Sequence, residues 1–289
     1  MQPQSNALHS IVVTLTPTRE CSVRASMGYQ AHAAFLKAVR ESDQALAEAL
    51  HLPDIPVRPF TVSMLHRDAV YPRTPQARNG RLHLSLEKTY WLRFTALYEP
   101  IFKRFMARFL HGQGRPVVRL GQATLLIKEI LVTPESHPWA GFISWPDLVR
   151  NAGNEEDICL DFASPTGFGF GQKEWGKKVM VLPRPATVFG SLARSWNALA
   201  PAPFEMDRRA LREYLDEHVV VKRIDGLRTQ MLRFRRSYQV GFVGRVTYGL
   251  MADDEEVRRR LNGLANFAFY AGVGMKTTMG MGQCRRLRR

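Results

Sequence analysis

Gly272-Val-Gly-Met-Lys-Thr-Thr-Met-Gly-Met-Gly282, near the C-terminal end of the sequence, decides how the rest of the chain is interpreted. The stretch has glycine at 272, 274, 280 and 282, with Lys276 and two threonines between them. Glycine tolerates positive φ and lets another chain approach closely, so backbone N–H groups can turn toward an anion. The stretch predicts a phosphate-binding loop; a flexible turn between two elements is the alternative.

Two familiar phosphate motifs do not fit this loop. The dinucleotide fingerprint requires glycine where Thr277 stands and a helix after the loop, whereas the helical pattern precedes it. The P-loop requires glycine directly before Lys276, and Met275 occupies that position. We therefore expect no cofactor, and we predict a helix, the glycine loop and a short basic strand in that order.

The composition indicates a polyanionic partner. The 289 residues carry a formal net charge of +15, and such a surface attracts nucleic acid through counterion release. No apolar run reaches membrane-spanning length and the first residues lack a signal-peptide pattern, so we expect no membrane association. Cys21, Cys159 and Cys284 form no CxxC pair, which predicts reduced thiols in a cytoplasmic protein and no metal site.

The order of predicted elements repeats in the two halves of the chain. In the first half we predict strands at 10–16, 60–65, 81–86 and 122–131, and helices at 28–40, 43–51 and 97–110. In the second half we predict strands at 158–162, 218–234, 239–250 and 283–287, a long irregular region that contains 167–171, and helices at 187–199 and from an Asp253 N-cap to the loop. Each half reads βαββαβ. This order predicts an α+β fold of two tandem ferredoxin-like (RRM-like) domains, 1–135 and 136–289.

The glycine loop resembles the G-x-G-x-K-[ST]-x-x-G-[FM]-G loop of the CRISPR-associated endoribonucleases of the Cas-six family. Leu46-Ala-Glu-Ala-Leu-His51 followed by Pro59-Phe-Thr-Val-Ser-Met-Leu65 is similar to the segment in which many members carry a catalytic histidine. Further matches are Val188-Phe-Gly-Ser-Leu with Ser195-Trp-Asn197, and Leu227-Arg-Thr with Gly241-Phe-Val-Gly-Arg245. These segments extend over nearly the whole chain in the family's order.

The resemblance implies metal-independent cleavage of repeat RNA by the nucleotide's own 2′-hydroxyl, which leaves a 2′,3′-cyclic phosphate and a 5′-hydroxyl. Such a reaction needs a base, an acid and a cation. His51 occupies the family's histidine position, and His32 lies one turn before Leu36, where some members carry tyrosine. Arg58 stands near a position where relatives often have lysine, and it is expected to stabilise charge on the phosphate. Tyr29 is a candidate for orienting the substrate, and a position in the core is the alternative.

The same resemblance implies CRISPR repeat RNA as the partner, together with other proteins of a CRISPR effector complex, and a monomer or homodimer. A non-catalytic RNA-binding subunit built on the same fold is the alternative, since fold and loop do not establish chemistry. The predicted RNA-binding residues lie in the loop and in three basic or aromatic segments: Gly272, Gly274, Lys276, Thr277, Gly280, Gly282, Arg233, Arg235, Arg285 and Arg286, with Arg258–Arg260 and the phenylalanines of 167–171 as further candidates.

Overall fold

The computed structural model describes residues 7–52, 55–67, 80–110, 116–234 and 237–288. It divides into two compact units: residues 1–144 with 278–280, and residues 145–277 with 281–289. Residues 136–144, which the sequence prediction assigns to the second domain, belong to the first unit, where Gly141–Ser144 pairs with the first strand. None of the helices in the described ranges has the length and apolar character that crossing a bilayer requires.

The elements of the first unit are β1 Ala7–Pro17, β2 Cys21–Arg24, α1 Gly28–Ser42, α2 Gln44–His51, β3 Phe60–Val62, β4 His66–Arg67, β5 Arg81–Leu84, β6 Tyr90–Ala96, α3 Glu99–Leu110, β7 Val117–Leu120, β8 Ala123–Leu131 and β9 Gly141–Ser144. The main sheet is antiparallel with strand order β3-β6-β1-β8-β7, and its first four strands have the ferredoxin-like order. Helices α1 and α3 pack together. Phe35 of α1 lies at the centre of the core, with its ring 4.7 Å from Phe60, 5.4 Å from Phe94 and 5.2 Å from Phe105.

One strand of this sheet differs from the prediction. The segment predicted as the third strand, around Arg81–Leu84, pairs with Cys21–Arg24 in a separate two-stranded sheet. Its place next to β1 is taken by Tyr90–Ala96, which pairs along the length of β1 from His9↔Ala96 to Leu15↔Tyr90. Every residue of β6 is buried, although its sequence alternates between apolar and polar residues from Leu92 to Ala96, the pattern that marks a strand exposed on one face.

The elements of the second unit are α4 Trp145–Arg150, β10 Asp157–Thr166, β11 Phe168–Lys173, β12 Gly176–Met180, α5 Pro185–Leu199, a 3-10 turn Ala202–Phe204, α6 Arg208–His218, β13 Val219–Arg233, β14 Tyr238–Leu250, α7 Glu255–Ala271 and β15 Cys284–Leu287. A further 3-10 turn, Thr277–Met279, lies in the glycine loop. The antiparallel order β13-β14-β10-β15 is again ferredoxin-like. The fold prediction of two tandem ferredoxin-like units is confirmed.

Three local predictions in the second unit are corrected. The region expected to be irregular at 167–171 forms the hairpin β11–β12, and α6 was not predicted at all. The N-cap of α7 is Asp254, whose carboxylate accepts from Val257 N–H at 3.0 Å. Asp253 instead accepts from Arg258 Nη2 at 2.7 Å, so the neighbouring aspartate has a tertiary ion pair in place of the predicted cap.

Candidate functional site

His32 is held by the backbone of the glycine loop. It is a buried residue of α1, and its Nδ1 lies 3.0 Å from the carbonyl oxygen of Thr278, within the same unit. Because a carbonyl can only accept, Nδ1 carries the hydrogen and donates it. In the neutral ring Nε2 is then left with its lone pair available to accept a proton. The partner lies 246 residues away in sequence, so no local pattern could have indicated it.

The surroundings of His32 favour its neutral form. Burial lowers the pKa of His32 below its usual 6.5; the hydrogen bond to Thr278 acts in the opposite direction, and the positive charges of Arg58 and His51 lower the pKa further. A neutral imidazole near physiological pH is the form that can act as a base. The charges of Arg58 and His51 thus act on the pKa of His32, and a shared catalytic role for the three residues stays a prediction.

Arg58 is anchored at the end of the helix that carries His51. Its guanidinium donates to the carbonyl oxygen of Leu50, and at 3.3 Å to that of Leu52. These carbonyls lie at the C-terminal end of α2, where oxygens without a helical partner attract a cation. His51 is the last residue of α2 and is exposed. Tyr29, on α1, is 53% exposed, so it is a surface residue rather than part of the core.

Most of the loop's glycine N–H groups are engaged within the protein. Gly272 donates to Ala268, Gly274 to Ser191 Oγ and Gly282 to Pro165, each at 3.0 Å. This corrects the predicted phosphate grip by the amide of Gly274. Glycine is required at 274 for another reason: its φ is +85°, and a Cβ there would lie 2.4 Å from the carbonyl oxygen of Gly167.

The other loop residues shape the turn. Thr277 packs its side chain against Gly272 and Gly282, and buried Gly280 lies against Met64 in the first unit. These positions therefore fix the path of the loop, including the segment that holds His32. Their predicted RNA contacts stay predictions.

Lys276 belongs to a surface of alternating cations and aromatic rings in the second unit. Its φ is +57°, and its Nζ lies 4.1 Å from the ring centroid of Phe234. Arg233, beside it at the end of β13, lies 5.7 Å from the ring of Tyr238 at the start of β14. Such cation–ring contacts suit unpaired nucleotides, which offer both a phosphate and a stacking face. Arg235 lies outside the described residues.

Of the two arginines of the last strand that were predicted to bind RNA, Arg286 has a structural role, and the RNA contact of Arg285 stays a prediction. Arg286 has a side chain only 5% exposed; it pairs with Glu155 at 3.0 Å and donates to Asn266 at 3.2 Å and to the side-chain oxygen of Asn262. Its predicted RNA contact is therefore wrong, because the guanidinium is buried and already bonded to partners within the unit. Arg285 is 21% exposed and lies 3.5 Å from the buried carboxylate of Asp161.

The last helix shows the same pattern as the last strand. Arg258 is buried, and its guanidinium bonds to Glu156 at 3.2 Å and to Asp253 at 2.7 Å. Arg259 and Arg260 pair with Glu255 and Glu256 one turn earlier on the exposed face. The three arginines 258–260 of α7 are therefore all paired with acidic side chains of the protein.

Two ferredoxin-like units in tandem, with a glycine-rich loop after the last helix, agree with the repeat-associated class of CRISPR proteins that the sequence resembles. Comparison with known families narrows the assignment. The CRISPR Cas6 N-terminal domain matches residues 7–150, and the CRISPR-associated endoribonuclease Cas6 family matches residues 160–284. The chain belongs to the Cas6 family.

Individual relatives agree with this assignment. A CRISPR-associated endoribonuclease Cas6 from Streptococcus thermophilus is 28% identical over 136 residues, 47% of this chain and 53% of that protein, so the match spans about half of the relative's length. The product complex of a Thermus thermophilus Cas6 is 28% identical with a TM-score of 0.81, covering 98% of this chain and 100% of that one. A second Cas6 product complex is 29% identical with a TM-score of 0.73 over 98% and 100%.

Proposed function

We propose that this protein is a metal-independent endoribonuclease that cleaves CRISPR repeat RNA in precursor transcripts and so produces guide RNAs. The 2′-hydroxyl attacks the adjacent phosphorus, the bond to the 5′-oxygen breaks, and the products carry a 2′,3′-cyclic phosphate and a 5′-hydroxyl. The proposal rests on family membership and on one observation above all: the Thr278 carbonyl fixes His32 through Nδ1, where burial and the charges of Arg58 and His51 lower the pKa of the ring.

The three side chains divide the chemistry. His32 takes the proton of the 2′-hydroxyl at Nε2, because its other nitrogen is already committed as a donor. His51, exposed at the end of α2, gives a proton to the departing 5′-oxygen. Arg58, held by Leu50 and Leu52, carries a fixed positive charge to the phosphate as negative charge develops there.

RNA is held in this proposal by the surface around Lys276, Arg233, Phe234 and Tyr238. The two cations lie over or beside aromatic rings, so phosphates and unpaired bases can be contacted together. That relatives have been solved as product complexes supports binding of an RNA product by this chain. We further propose a cytoplasmic location, beside other CRISPR effector proteins.

A non-catalytic RNA-binding subunit with the same fold is the competing function, and histidine variants separate the two. We expect His32→Ala and His51→Ala each to slow cleavage of the cognate repeat RNA by about 10²–10⁴-fold, the usual contribution of a general acid or base. The dissociation constant for the same RNA should stay within a few-fold. His83→Ala is the matched control, since His83 lies exposed beside Glu20 on the separate two-stranded sheet.

The outcomes distinguish the functions. Wild-type protein that binds the repeat tightly and leaves it intact would support the binding subunit. A double variant His32→Ala/His51→Ala that cleaves at the wild-type rate would move the reaction away from these residues.

A further inference from the structure

A cavity of about 570 Å³ lies in the second unit, between the hairpin β11–β12 and helices α5 and α6. Its volume falls within the range of about 300–1,000 Å³ that is usual for small-ligand sites. Gly274 and Met275 of the glycine loop form part of its wall, and Gly274 is tied to α5 through Ser191. The cavity therefore adjoins the loop but contains none of the three candidate catalytic residues.

The lining of the cavity is strongly cationic. Arg184 is the N-cap of α5 and Arg194 lies within that helix. Arg208 and Arg212 lie one turn apart on α6. The one acidic lining residue, Asp216, lies 3.9 Å from Arg212. Within the described ranges, no side chain pairs with the guanidinium groups of the other three arginines. These arginines are exposed to solvent, so they are available to bind an anionic ligand.

Two further features match a nucleotide rather than an anion alone. Gly190 lies inside α5 and lines the cavity, and a Cβ built there meets nothing within 4 Å. Glycine weakens a helix, and here no neighbouring atom of the protein requires it, so the open space allows a ligand to approach the backbone. Phe170 of β11 is 46% exposed at the cavity, with Lys178 Nζ 6.0 Å from its ring centroid, which suits the stacking of an unpaired base.

We propose that this cavity binds one unpaired nucleotide of the RNA. Its phosphate lies against Arg194 and Arg208, its sugar passes over Gly190 and its base stacks on Phe170. The inference rests on the proposed function for the identity of the ligand as RNA, and it adds a substrate-binding site separate from the cleavage residues. An acidic protein segment could satisfy the arginines, but it would make no use of the exposed ring.

The test uses fluorescein-labelled oligouridylate, whose binding is followed by anisotropy at several salt concentrations. Gly190→Met fills the space above the helix; we expect at least tenfold weaker binding with an unchanged or higher melting temperature, since methionine is the better helix former. Arg194→Gln/Arg208→Gln should weaken binding and reduce the slope of log K against log salt by about 0.7, the value for one lost phosphate contact to a single strand. Arg209→Gln is the matched control, because Arg209 pairs with Glu213 and does not line the cavity.

The binding results decide whether the cavity is a nucleotide site. If Gly190→Met and the double arginine variant bind oligouridylate as Arg209→Gln does, the inference is overturned. It is also overturned if these variants lose affinity only for a polyglutamate peptide, which would assign the cavity to an acidic protein segment. Cleavage of repeat RNA is measured separately at saturating protein, so a failure of the proposed catalysis would leave the oligouridylate result standing.

Discussion

Gly28→Ala tests whether the glycine loop holds the catalytic base in place. Gly28 begins α1, and a Cβ there would lie 1.8 Å from the carbonyl oxygen of Met279 and 3.0 Å from Gly280 N. Because carbon–oxygen contacts below 3.0 Å are not tolerated, the carbonyl must withdraw by at least 1.2 Å (3.0 − 1.8). Thr278 is the residue before Met279, so its carbonyl moves with the displaced backbone. We expect the 3.0 Å hydrogen bond from His32 Nδ1 to the Thr278 oxygen to lengthen beyond hydrogen-bonding distance.

The expected magnitudes follow from this displacement. Overpacking of this kind costs about 1–3 kcal/mol of stability. A catalytic group misplaced by about 1 Å can lose about 10² in rate, so we expect single-turnover cleavage at saturating protein to fall by about that factor. Gly263→Ala in α7 is the matched control: its Cβ would meet Ala152 at 3.7 Å and Trp196 at 3.9 Å, which are ordinary contacts, so stability and rate should be maintained.

The two measurements separate positioning from stability. If Gly28→Ala melts at a lower temperature but cleaves at the wild-type rate when saturated, the loop contact is structural only and the positioning of His32 is refuted. If it retains both the melting temperature and the rate, the close approach of the loop to α1 is itself refuted.

Three further predictions concern other parts of the molecule. The acidic limb of the saturated cleavage rate should have its midpoint below pH 6.5, because burial lowers the pKa of His32 and its neutral form persists to lower pH; a midpoint above 6.5 would contradict its role as base. Arg286→Met should lower the melting temperature, since each buried acceptor left without a donor costs about 1–3 kcal/mol, while RNA affinity at low temperature changes little. Lys276→Gln should weaken RNA binding and reduce the salt slope by about 1 with an unchanged saturated rate; an unchanged slope would remove Lys276 from the RNA contacts.

Most helices and strands with a regular apolar pattern were predicted, but β6 and α6 carry such a pattern over only a few residues and were missed. In α1 the apolar residues recur at helical spacing and bury one face around Phe35, so its bounds were nearly right. Strand β6 alternates between apolar Leu92, Phe94 and Ala96 and polar Arg93 and Thr95, but these polar residues are buried as well, so the sequence does not show that both faces are covered. Helix α6 has Asp207 as its N-cap and Leu211, Tyr214 and Leu215 at helical spacing, so the segment carries a short amphipathic helix pattern that the sequence prediction missed among its charged residues.

Some residues of the candidate site could be predicted from the sequence, and others could not. His32, His51 and Arg58 could be selected because their residue types and their places relative to α1 and α2 are local features of the sequence. The Thr278 carbonyl that fixes His32 could not, since a backbone acceptor has no residue signature. Likewise, Arg286 looks in the sequence like any basic residue of a cationic tail, and only its tertiary partner Glu155 shows that it is structural.

The most direct test of the account is cleavage of the cognate repeat RNA in EDTA, with and without a single 2′-deoxy substitution at the nucleotide just upstream of the cut. The account predicts that the unmodified RNA is cut, leaving a 2′,3′-cyclic phosphate, and that the deoxy RNA is bound with similar affinity but stays intact, because the attacking hydroxyl is missing. Cleavage of the deoxy RNA at the same position, or cleavage only when a divalent metal is restored, would contradict it.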